Sequence, residues 1–322
     1  MTFTRLVSKN IIRKLLTRQD YRSEVLTLID AEFLQYVVDF FKRIVKAKLN
    51  KEPVTADWYT EEFLNSNSLS NSEMSVYSGI NIATTLNSEQ IVLATTVKYH
   101  DALYDAFNSL GNNLDMGFTI KFRNVSFGLD LNESLILFNT LALKRSTLQD
   151  RLWNETGKQI KKPLMTTLCA LFKVPKKHYD QRNLPESQRE SDFYLFDDTG
   201  KDYPGEVKLM GKGNPESADA VYAGDSRFLV ANKLSDTNKQ QMDSEGVLWV
   251  ELQTENGYKR FEEVLKTLSI PYQPFTGDLQ GTLDKILPVI LSDDVQDSVT
   301  PEVVLSESEQ NNDSGSELLV EF

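Results

Sequence analysis

Residues 191–210, SDFYLFDDTGKDYPGEVKLM, hold two short runs of alternating apolar side chains on either side of Asp198-Thr199-Gly200. That turn suits a three-residue hairpin loop with Gly in the left-handed position, and such a loop sets the register of both strands. Asp197 then pairs with Lys201, paired residue numbers sum to 398, and Asp192 faces Glu206. Strand side chains alternate, so Lys208 shares the face of Glu206 while Val207 and Leu209 point to the core. Pro204 lacks a backbone donor, and a bulge or edge position there would shift the register by a residue. Asp197, Asp198 and Asp202 read as solvated acids of the turn.

Two carboxylates directly opposite have Cβ atoms about 4.5–5.5 Å apart, and like charges at that spacing destabilise a sheet unless something positive lies between them. A divalent cation answers the need. The chain has one cysteine, Cys169, and two histidines, His100 and His178, so it has no internal disulfide and no Cys/His cluster for zinc. Any metal is held by oxygen, and Mg²⁺ favours an octahedral oxygen site with one or two carboxylates, waters and substrate phosphate. Carboxylates, a cation and a nearby ammonium together supply the chemistry of phosphodiester hydrolysis. Glu-x-Lys alone is weak, since about one is expected by chance in a chain of this length, and this chain has one. Its weight comes from the facing Asp192 and from the surroundings.

The net charge of −12 argues against a polyanionic partner until it is mapped. Residues 293–322 contain nine acids and no base, and without them the total is −3. Residues 144–189 carry eleven bases against four acids and run directly into the hairpin. A +7 block of this kind is either a solvated face or a phosphate-backbone contact. Within and beside it, Lys161, Lys162, Lys176 and Lys177 are candidates for phosphate, and Arg182, Gln188 and Arg189 have side chains that read base edges. Lys212 and Asn214 lie in a Gly-flanked loop just past the second strand, close enough to approach a phosphate. His178 reads as a surface residue, and Trp153, Trp249 and Tyr194 read as core.

With 40% hydrophobic and 25% charged residues over 322 positions, the chain can bury a sizeable core. No stretch reaches the roughly 18 apolar residues of a membrane span, and the basic, amphipathic first twenty residues lack a signal-peptide core, so a cytoplasmic protein with no membrane partner is expected. Residues 4–50 have helical periodicity, with 23–49 either one long helix or a hairpin of two. Residues 88–110 also read as helix, and MGFTIKFRNVSFGLDL as one or two strands. From residue 133 the order is helices at 133–153 and 158–172, the hairpin, a helix at ESADAVYAG, a strand at SRFLVANKL, a short helix, and a strand at VLWVEL. The expected fold is α/β in character, mixed α+β, with a central mixed sheet flanked by helices. Three parts are expected: a mostly helical region, 1–132, serving DNA recognition or dimerisation; a catalytic core with a helical extension, 133–292; and an acidic disordered tail, 293–322.

Asp192 followed by Glu206-Val207-Lys208 resembles the core of the PD-(D/E)xK nucleases, and GEVKLMGKGNPESADAV with LSDTNKQQ resembles more narrowly the CfrBI-type type II restriction endonucleases. The resemblance implies Asp192 and Glu206 as ligands of Mg²⁺ and Lys208 as the catalytic lysine. Ser191 stands where the motif has Pro. Many relatives also place a Glu on the helix before the hairpin, whereas here that helix has Lys161 and Lys162; Glu155, Glu190 or Glu216 is left as a third acid, Glu216 being the one chosen. The expected activity is site-specific hydrolysis of double-stranded DNA at a short palindrome by a homodimer, paired with a DNA methyltransferase. A structure-specific repair or recombination nuclease and a non-catalytic DNA-binding protein on the same scaffold remain as alternatives.

Overall fold

The computed structural model describes residues 3–59, 61–62, 118–122, 125–179, 191–209 and 226–293, together with residues 98, 102, 105 and 109. Its helices are α1 (Phe3–Leu16), α2 (Arg22–Leu49), α3 (Ala56–Tyr59), α4 (Leu131–Leu171), α5 (Asp236–Glu245), α6 (Phe261–Thr267) and α7 (Leu279–Asp293). Its strands are β1 (Phe118–Phe122), β2 (Val125–Leu129), β3 (Phe193–Phe196), β4 (Asp202–Lys208), β5 (Phe228–Ala231) and β6 (Leu248–Glu251). The fold is mixed α+β, as expected. No described helix is long and apolar enough to cross a membrane.

The stripe Val7, Ile11, Ile12, Leu15 and Leu16 buries one face of α1, as its spacing requires. α2 is a single helix rather than a hairpin of two. It crosses two apolar clusters, placing Val25, Leu28 and Ile29 in the main core and Phe40, Ile44 and Ala47 in a second one. α4 runs beside it and spans the same two clusters, with Ile136 and Leu137 at one end and Leu148 through Leu171 at the other.

The two helices expected at 133–153 and 158–172 are therefore one, 41 residues long. Gly157 suggests a break, because glycine costs about 1 kcal/mol against alanine inside a helix. Burial on both sides of it, at Leu148, Leu152 and Thr156 and then Ile160, Leu164 and Leu168, outweighs that cost. Even Pro163 is accommodated as a buried member of the helix. The start is fixed by a reciprocal capping box, in which the Asp130 carboxylate accepts from Glu133 N (2.9 Å) and the Glu133 carboxylate from Asp130 N (3.0 Å).

β1 and β2 form a two-stranded antiparallel sheet, and the order of the larger sheet is β3-β4-β5-β6. β3 is antiparallel to β4, while β4, β5 and β6 are parallel. Phe193, Leu195, Val207, Phe228, Val230 and Val250 line one face, packed in the core with α4, α6 and α7. The opposite face carries Leu229, Ala231 and Trp249, with Leu234, Met242 and Val247 beside them. Glu206 pairs with Leu229 and Lys208 with Ala231, so both charges stand on this second face. The helix expected at 216–224, most of the helix expected at 88–110 and the acidic tail beyond 293 lie outside the described residues.

Candidate functional site

The turn is built as its chemistry demands. Gly200 has φ +84°, its N–H donates to Asp197 O (3.1 Å), and Asp197 N donates to Lys201 O (3.1 Å). The observed pairs Phe193↔Gly205, Tyr194↔Pro204, Leu195↔Tyr203 and Phe196↔Asp202 each sum to 398, the register expected from the loop. Pro204 introduces no slip, because the donor it lacks would point to the β5 side just ahead of that strand, where its carbonyl accepts from Arg227 N (2.8 Å). Asp198 and Asp202 are exposed acids. Asp197 has a structural task instead: its carboxylate accepts from the Thr199 hydroxyl (2.6 Å), Thr199 N (2.8 Å), Lys201 N (3.1 Å) and the Tyr203 hydroxyl (3.0 Å). These donors, the Thr199 hydroxyl first, hold its pKa down to about 2.

One step before β3, the Asp192 carboxylate extends the ladder with its side chain: Oδ2 accepts from Val207 N at 2.9 Å. Its other oxygen, Oδ1, accepts from Lys161 Nζ at 3.0 Å, reaching over from α4. Across the hairpin, Glu206 Oε1 accepts from the Ser226 hydroxyl at 3.1 Å. Glu206 Oε2 lies 3.5 Å from Lys208 Nζ and is buried without a hydrogen-bond donor. The four charged side chains are 12–24% exposed and make two half-buried ion pairs, Lys161–Asp192 and Lys208–Glu206, at neighbouring positions of the hairpin.

A carboxylate oxygen can only accept, and a buried one without a hydrogen-bond donor is costly; the Lys208 ammonium 3.5 Å away offsets part of that cost, and a coordinated metal ion would offset more. Glu206 Oε2, with the Asp192 carboxylate fixed on the facing strand, fits a hard divalent cation that completes its shell with water and phosphate oxygen. Among the described residues no group of three or more His, Cys, Asp or Glu side chains converges, so the described donor set is this pair. Glu155 makes an exposed ion pair with Arg151 on α4; Glu190 and Glu216 lie outside the described residues.

The expected DNA contacts divide three ways. Lys161 pairs with Asp192 itself. Lys162 is exposed on α4, and Lys176 and Lys177 are exposed on a 3₁₀ turn at Lys176–His178, with Lys177 Nζ 2.8 Å from Asp198 Oδ1. Arg182, Gln188, Arg189, Lys212 and Asn214 lie outside the described residues, on the segments that lead into Asp192 and away from β4. His178 is not a surface residue. It is 1% exposed, and its Nδ1–H donates to Phe196 O at 2.7 Å, because the turn folds the ring in against the end of β3, where that carbonyl needs a donor. Tyr194 is buried, while Trp153 and Trp249 are partly buried against the two sides of the sheet.

Two features escaped sequence reasoning. Ser226, which orients Glu206, precedes β5 with no motif to mark it. A cleft of about 680 Å³ opens at the carboxyl ends of the parallel strands, lined by Arg18, Arg22, Asn232, Lys233 and Gln253 among others. It adjoins β4, since Asn232 N donates to Lys208 O (3.0 Å), and the Gln253 amide donates to Asn232 Oδ1 (3.1 Å). Strand ends are where open parallel sheets usually bind ligands, so the β-strand pattern was the available signal.

A family model described as CfrBI restriction endonuclease matches residues 5–239, from α1 into α5 and across the whole hairpin. No curated protein and no solved structure matches the chain.

Proposed function

The chain belongs to the CfrBI restriction endonuclease family, and from that premise we propose that its β3–β4 hairpin hydrolyses double-stranded DNA with Mg²⁺ held by Asp192 and Glu206 and with Lys208 as catalytic lysine. Membership makes the protein a type II endonuclease, a hydrolase acting on DNA. The observation that carries the assignment of the site is Glu206 Oε2, a buried acceptor with no donor, beside Lys208 and on the strand facing Asp192.

Held by Asp192 and Glu206, Mg²⁺ would supply a water of lowered pKa and offset negative charge on the phosphoryl oxygens. The protein's own groups do the rest. Val207 N–H holds the Asp192 carboxylate in one orientation, and the Ser226 hydroxyl does the same for Glu206. Lys208, on the same strand face as Glu206, directs an ammonium toward the attacking water and the phosphate oxygens. Its charge steadies the negative charge that grows as the new P–O bond forms and the old one breaks. In the strand-end cleft Arg18 and Lys233 extend a path for the phosphate backbone beyond the site, while Arg22 there is paired with Asp20.

The proposal includes the PD-(D/E)xK assignment of this hairpin. It also includes a homodimer on a palindromic site, one hairpin per strand, guarded by a partner methyltransferase. The test is to incubate the purified protein with plasmid DNA in Mg²⁺ and in EDTA and to sequence the ends. A discrete fragment ladder whose ends share one short palindrome, present only with Mg²⁺, is expected. Cleavage confined to branched or damaged substrates, binding without cleavage, or cleavage undiminished in EDTA would contradict it.

A further inference from the structure

We propose that Lys161 is the resident counter-ion of Asp192 in the metal-free protein, and that an arriving divalent cation displaces it, freeing its ammonium for a DNA phosphate; this rests on the reading of Asp192 as a metal ligand. The geometry is specific. Asp192 Oδ2 is committed to Val207 N–H at 2.9 Å, which leaves Oδ1 as the oxygen turned outward, and Lys161 Nζ takes that oxygen at 3.0 Å. A divalent ion on Oδ1 would stand about 4 Å from the ammonium, and at that spacing its repulsion exceeds what the ammonium gains from the carboxylate, so the ammonium is the group that leaves.

The side chain is also placed to move. Lys161 follows Ile160, a fully buried anchor of α4, while its own stem borders a cavity of about 120 Å³ between the helices and β4, lined in part by Tyr21, Trp153, Val207 and Leu209. Four rotatable methylenes give the ammonium a choice of positions without moving the helix. With two ammonium groups on two carboxylates the two pairs carry no net charge. Metal binding and phosphate binding would then favour each other by the same factor, as linkage requires.

The test is calorimetric titration of Ca²⁺ into the DNA-free protein for wild type, Lys161→Met, Lys161→Gln, Asp192→Ala and the Lys161→Met/Asp192→Ala double variant, each checked for a wild-type melting transition. Removing a partly exposed competitor should tighten ion binding roughly three- to tenfold in both Lys161 variants. Asp192→Ala should lose binding, and the double variant should show no gain over it. Unchanged or weaker affinity in the folded Lys161 variants, with Asp192→Ala still defective, would overturn the counter-ion role and leave the metal site standing. Wild-type affinity in Asp192→Ala, or no binding in any variant, would remove the metal-site reading and this inference with it.

Discussion

Gly205 stands immediately before Glu206, and the Phe228 ring lies across it: a Cβ at this position would meet the ring carbons at 2.0–2.4 Å. Phe228 is fully buried and is the paired residue on β5, so the ring cannot swing aside. Gly205→Ala should destabilise the protein by about 1–3 kcal/mol, measured by urea denaturation, and should lower cleavage by shifting Glu206; wild-type stability would show that the ring yields. Nothing in the sequence announces this constraint, because glycine beside proline reads as a turn while the ring that demands it arrives from another strand. His178 escaped for the same reason: its partner, Phe196 O, lies 18 residues away. The register of the β3–β4 hairpin was legible because it follows from Asp197, Thr199 and Gly200, neighbours whose preferences are local.

At the scale of elements, α4 and the 3₁₀ turn after it carry most of the basic segment, with Lys162, Lys176 and Lys177 exposed. If they meet the DNA backbone, replacing all three with Gln should weaken binding to every sequence alike. It should also reduce the slope of log K against log salt by about 0.9 for each phosphate no longer neutralised. The Lys177–Asp198 pair is exposed, so the melting transition should stay close to that of the wild type. A slope equal to wild type would remove this surface from the interface. Element types were legible where periodicity was strong, as in α1, α2 and the β3–β4 hairpin. The single helix α4 was not, since Gly157 is a local stop signal that only long-range burial of Thr156 and Ile160 overrides. Lys161 groups with its exposed neighbours in the sequence, which cannot tell which lysine of a pair turns toward the sheet.

Across the molecule, α2 and α4 tie two apolar clusters together, and the main core fixes the strand face opposite the charges. Phe193 and Val207 are buried while their neighbours Asp192 and Glu206 keep partial access to solvent. That alternation leaves both carboxylates partly accessible at the hairpin, where Lys161 pairs with Asp192 and Lys208 with Glu206. Plasmid cleavage in Mg²⁺ by purified Asp192→Ala, Glu206→Ala, Lys208→Ala and Asp202→Ala variants decides whether these groups form the nuclease site. No cleavage is expected from the first three, each with a native melting transition, and wild-type cutting from Asp202→Ala, whose side chain is exposed at the turn. Cutting by the Glu206 or Lys208 variant, or an equal loss in Asp202→Ala, would contradict that assignment.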